Sequence, residues 1–160
     1  MNRLRRSFVL AGFALPALVC AADVPALPQP DDIDALLARA QRERKALMAV
    51  FTRHDCPFCI ALKREELQWL ARDAEARHLI LAEIDVGVER PLRVSGAPIN
   101  RLQFARRFGG QFTPTIVFLG PGYVETAPRL VGYGNPFYSA YLEDRIEQAV
   151  KATGRAAAKR

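Results

Sequence analysis

Cys56 and Cys59 stand three positions apart, with Pro57 and Phe58 between them. Two thiols at that spacing can attack a disulfide and then resolve it, provided the first sits where its thiolate is stabilised. The flanking residues predict such a place. Ala46-Leu47-Met48-Ala49-Val50-Phe51 is a continuous apolar run, the pattern of a strand buried on both faces. Thr52 to Asp55 reads as a loop, and Pro57 suits the first position of a helix. Cys56 would then lie at a helix N-terminus, where free N–H groups and the dipole favour a thiolate. Cys59, one turn further in, can close back onto it. In this reading Cys56 is the nucleophile and Cys59 the resolving thiol; the same steps reversed make an oxidant.

Other chemistries fit the pair less well. A structural zinc site needs four ligands, and only His54 is near in sequence. A c-type haem needs His directly after the second cysteine, where Ile60 stands. A purely structural disulfide closing so short a loop would constrain little of the unfolded chain. A Cu(I) module using Cys56, Cys59 and His54 is a further reading, but Met48, in the apolar strand, is the only methionine besides Met1. A non-catalytic interaction domain is the last. No metal ligand is assigned.

Neighbours can tune the pair. Asp55 as an anion disfavours a Cys56 thiolate, and protonated His54 favours it. Pro57 sets the helix start, and Phe58 is placed for an apolar contact with substrate.

The rest of the chain supplies the elements. Asp32 can cap a helix in which Ile33, Leu36, Leu37 and Ala40 recur at helical spacing. A long helix is predicted over Phe58 to Arg77 and a second strand over His78 to Val86. Gly87 to Pro98 reads as irregular, and Asn100 to Phe108 as a short helix stopped by Gly109-Gly110. Thr115 to Leu119 and Tyr123 to Val131 read as strands joined by Gly120-Pro121-Gly122. Asn135-Pro136 opens a last helix, with Tyr138, Tyr141, Leu142, Ile146, Ala149 and Val150 on its buried face. The alternation predicts an α/β fold: one mixed sheet of about four strands, flanked by helices on both faces.

The N-terminus reads as an export signal. Arg3, Arg5 and Arg6 precede an apolar run from Phe8 to Ala22, too short for a comfortable membrane span. Cys20-Ala21-Ala22 offers small residues for cleavage, and the Arg pair also fits a twin-arginine route. The organisation is then a signal peptide over 1–22, a flexible Pro-rich spacer over 23–31, one domain over 32–153 and a basic tail over 154–160. The net charge of +6 owes half its value to the three signal arginines. No basic surface interleaved with aromatics is visible, so nucleic acid is not an expected partner. Cleavage would also remove Cys20, leaving one cysteine pair in an oxidising, periplasmic compartment.

Thr113-Pro114 directly precedes the third strand, and alone it is an ordinary turn. Taken with the Cys pair, Phe112-Thr113-Pro114-Thr115-Ile116-Val117-Phe118-Leu119 and Gly132-Tyr133, it resembles the thioredoxin superfamily. The likeness runs from Ile33 to Val150 and is nearest to exported bacterial thioredoxins of the SoxW type. It implies a cis Pro114 beside the cysteines, with Thr113 offering backbone to substrate. It implies no cofactor beyond a redox-active Cys56–Cys59 disulfide. It also implies a disulfide-containing protein or small-molecule thiol as substrate, and a membrane thiol carrier as electron donor. Two departures stand out. Val50 occupies the place of the buried acid many thioredoxins carry, and Asp55 replaces the Trp that often precedes the first cysteine. Water, Lys63, Glu83 and Asp85 are the remaining proton acceptors for Cys59, with the three side chains expected among solvated or paired surface charges.

Overall fold

The computed structural model describes residues 26–158. The expected signal peptide lies outside the described residues. Helix α1 spans Ile33–Glu43 and is capped as expected, the Asp32 carboxylate accepting the Ala35 N–H at 2.8 Å. Its chain leaves through Arg44 in the left-handed region and enters β1, Ala46–Thr52, which is buried at all seven positions. Helix α2, Pro57–Leu62, follows. The expected long helix is interrupted: Lys63–Leu67 runs at π spacing before α3, Gln68–Asp73, restores the α-helix. Residues 74–77 are turns, so the helical stretch ends before Arg77. Strand β2 is Leu79–Asp85, again wholly buried.

The segment expected to be irregular holds a small hairpin. Strands β3 (Leu92–Val94) and β4 (Ala97–Ile99) pair antiparallel around Ser95 and Gly96, both at positive φ. The Asp34 carboxylate accepts both turn N–H groups, which fastens the hairpin to α1. Helix α4 is Arg101–Arg106, capped by Asn100. Strand β5 is Thr115–Leu119. A short 3-10 turn over Pro121–Tyr123 delays β6, which is Glu125–Val131 rather than starting at Tyr123. Helix α5 spans Tyr138–Ala158 and passes through Gly154, so residues 154–158 are helix rather than a separate tail. Tyr141, expected on the buried face, is 45% exposed; Tyr138, Leu142, Ile146 and Ala149 are buried.

The four-stranded sheet has the order β2-β1-β5-β6. β1 runs parallel to β2 and antiparallel to β5, and β5 runs antiparallel to β6. This is the mixed sheet that the alternation predicts. Two apolar clusters cover its faces. Ile33, Leu37, Phe51, Phe104 and Phe108 lie on one side, with the three phenylalanine rings mutually packed. Val50, Leu62, Leu67, Leu142 and Ile146 lie on the other.

The Pro-rich lead is not a free spacer. Leu27 is buried, and the Pro28 carbonyl accepts the Glu83 N–H of edge strand β2 at 2.8 Å. Arg101, fully buried, donates to the Pro30 carbonyl at 3.0 Å and the Asp31 carboxylate at 2.8 Å. Proline lacks an N–H, so a Pro-rich strip can cover a sheet edge without inviting a further strand.

Candidate active site

The site grows out of the end of β1. Cys56 is the N-cap of α2, with extended backbone at φ −96° and ψ 110°. Its sulfur accepts the Cys59 N–H at 3.2 Å, as a capping side chain does. Pro57 occupies the first helical turn, where its missing N–H costs nothing. Cys56 is partly exposed and Cys59 is fully buried behind it. Both thiols are free.

The two sulfurs differ in acidity. At Cys56, burial pushes the thiol up. The Cys59 thiol and N–H outweigh that, helped by Thr113 and the Phe58 N–H, and the net shift is downward from 9.0. At Cys59, burial and the hydrogen bond it gives to Cys56 push the thiol up to about 12. One accessible thiol is therefore primed for attack, and one buried thiol is held protonated.

Pro114 comes to the pair from the opposite side. The Thr113–Pro114 peptide is cis. The Thr113 carbonyl lies 3.7 Å from the Cys56 sulfur. The loop is braced on both sides: the Thr115 hydroxyl donates to the Phe112 carbonyl, and the Gly132 N–H donates to the Pro114 carbonyl at 2.7 Å. Gly110 lets the loop approach the sheet, since a Cβ there would lie 2.5 Å from the Phe51 ring. Phe58 is 60% exposed and Phe112 65% exposed, on the two segments that carry Cys56 and Pro114. Two exposed phenylalanines on the segments that flank a reactive thiol offer apolar contact area to a substrate chain. The sequence places Phe58 in that role and gives Phe112 none; its position just before Thr113 was the available signal.

His54 and Asp55 are held by other partners. His54 turns its Nδ1 to Asp85 at 3.5 Å, and Asp55 is engaged by Arg53 through two bonds of 3.0 Å. Arg53 holds the Asp55 carboxyl below its ordinary value. At Cys56 itself the causes of the shift are burial and hydrogen bonding from Cys59, Thr113 and Phe58. Glu83 and Asp85 are not surface charges either: both are buried, Glu83 to 2% exposure. Lys63 meets Glu83 at 2.8 Å. Among the described residues, no group of three or more His, Cys, Asp or Glu side chains is placed to hold a metal ion.

No curated protein matches the chain. A thioredoxin from Thermus thermophilus is 24% identical with a TM-score of 0.57, covering 82% of this chain and 94% of its own. Fasciola hepatica thioredoxin is 16% identical with a TM-score of 0.52, covering 77% and 99%. Thioredoxin NaTrxh from Nicotiana alata is 19% identical at a TM-score of 0.50, covering 78% and 97%. These likenesses show the fold. The family described as a thioredoxin-like domain matches residues 33–146, from the first turn of α1 to the middle of α5. The stretch takes in the cysteine pair, the cis-proline loop and every strand of both sheets, and the chain belongs to the thioredoxin-like domain family.

Proposed function

We propose that the chain is an exported thiol–disulfide oxidoreductase that reduces disulfides of proteins or small molecules. The observation that carries it is the asymmetry of the pair: an accessible, acidified Cys56 whose sulfur accepts from the amide of a buried, protonated Cys59. The Cys56 thiolate attacks a substrate disulfide, one substrate sulfur leaves, and a mixed disulfide forms. Cys59 then attacks the Cys56 sulfur and releases the second substrate sulfur as a thiol. Phe58, Phe112 and the Thr113 backbone hold the substrate beside Cys56.

The reducing direction is supported by the opposing effects at Cys56. A strong oxidant needs a strongly stabilised reduced form. Here burial works against the hydrogen bonds that favour the thiolate. Electrons must come from outside, because no cysteine beyond the pair remains once residues 1–22 are removed. A membrane thiol carrier is the donor we assign. Export rests on the Arg3, Arg5, Arg6 and Phe8–Ala22 pattern of the sequence.

Trapping tests the reading. With a model protein disulfide, Cys59→Ser should accumulate a mixed disulfide through Cys56, and Cys56→Ser should form none. A Cys59→Ser protein that traps nothing, with an inert wild type, would overturn it.

A further inference from the structure

Cys59 is fully buried, so the proton it must lose has no direct path to bulk water. The strand ahead of the pair, Ala46–Thr52, offers no acid, and Val50 is one of its buried apolar residues. The adjacent strand does. Glu83 of β2 stands in register with Val50 of β1. Leu79 and Leu81, which alternate with Glu83 along β2, pack in the same cluster as Leu62 and Leu67. The Glu83 side chain therefore faces the layer formed by α2 and the π segment. Lys63 sits four residues after Cys59, one turn along the same helical face, and its Nζ lies 2.8 Å from Glu83 Oε1. The carboxylate is thus held against Lys63, one helical turn beyond Cys59.

Its two oxygens are not equally occupied. Oε1 accepts from Lys63 and from the Thr52 hydroxyl at 2.7 Å. Oε2 has a single long contact, the Gln29 amide at 3.4 Å. An oxygen has room for two donors, so Oε2 keeps acceptor capacity. Gln29 belongs to the lead, which is fastened to Glu83 by the Pro28 carbonyl and to α4 by Arg101.

We propose that Glu83, borne on β2 and covered by the lead, accepts the proton of Cys59 when that thiol resolves the mixed disulfide. This rests on the exchange reading given above. The Cys59 S–H proton passes to the carboxylate as the sulfur attacks Cys56. The Cys56–substrate bond breaks, the Cys56–Cys59 bond forms, and the substrate sulfur leaves with the electron pair and takes a proton from solvent. No other oxidant or reductant is required.

The test separates the two chemical steps by rapid mixing with a model disulfide, in the full chain. Glu83→Gln should form the mixed disulfide at the wild-type rate and resolve it roughly 10²-fold more slowly, the size of a lost general base. The charged and polar groups facing position 83 are Lys63, Thr52 and Gln29, with Asp85 further along the strand. With the acceptor gone, resolution should rise about tenfold per pH unit, because Cys59 must then ionise unaided. Glu83→Asp should restore part of the rate. If Glu83→Gln folds poorly because Lys63 is left unpaired, the neutral Glu83→Gln, Lys63→Gln double variant should show the same slow, steep resolution. Resolution at the wild-type rate and pH slope in a folded Gln variant would overturn the role of Glu83 while leaving the exchange reading intact. Failure of the wild type to form any mixed disulfide would overturn the exchange reading itself.

Discussion

At Cys56, the balance of burial and hydrogen bonding sets the chemistry. Thiolate is the reactive form, so alkylation rises with pH and is half-maximal at the pKa. A downward shift moves that curve to lower pH. In reduced protein, Cys56 should be alkylated with a midpoint below pH 9, and Cys59 should stay unmodified until the pH nears 12. Mass mapping of alkylated peptides across a pH series checks both. Equal midpoints would mean that the buried and exposed thiols do not differ. Phe58 and Phe112 make a second prediction. Both are largely exposed, so replacing either with Ala should change stability by less than about 0.5 kcal/mol. If they anchor substrate, each loss should raise KM about fivefold or more, with kcat kept. Unchanged KM in both variants would remove them from the substrate surface.

The elements explain why the cysteines sit where they do. β1 ends at Thr52, the loop turns, and Pro57 starts the helix with Cys56 as its cap. Gly110 brings the Pro114 loop against this corner, and Gly110→Ala should cost about 1–3 kcal/mol through its clash with Phe51. Chemical denaturation reads that loss. The lead makes a different prediction. Arg101→Ala removes a buried fork that holds Pro30 and Asp31, and should cost about 3 kcal/mol, the lower end for a buried pair because Asp31 is half exposed. The Glu83 amide, bonded to Pro28, should then exchange faster in hydrogen-exchange measurements. The sequence made the cysteine pair, the Asp32 cap and the buried β1 legible, because each is written in local side-chain type and spacing. The π segment over Lys63–Leu67 was not legible, since no residue type within it marks a departure from the α-helix. The β3–β4 hairpin was missed because three-residue strands carry little pattern, and its turn is fixed by the distant Asp34. The lead reads as linker by composition; its order comes from the β2 edge and Arg101.

As a whole, the molecule sets one pair of thiols at the rim of a mixed sheet with an apolar cluster packed on each face. β2 lends Glu83, β1 lends the loop before Cys56, and β5 starts at the proline loop, so the site stands where three strands end or begin. An accessible nucleophile and a buried partner make sense only if the pair opens and closes in use. The direct test is the reduction potential of the purified full chain, equilibrated in dithiothreitol and glutathione buffers and read by alkylation and mass mapping of Cys56 and Cys59. The account predicts that this pair alone closes, in one two-electron step, below about −220 mV. A pair that never closes would contradict the exchange mechanism. A midpoint above about −160 mV, toward the strong oxidants near about −120 mV, would contradict the reducing direction.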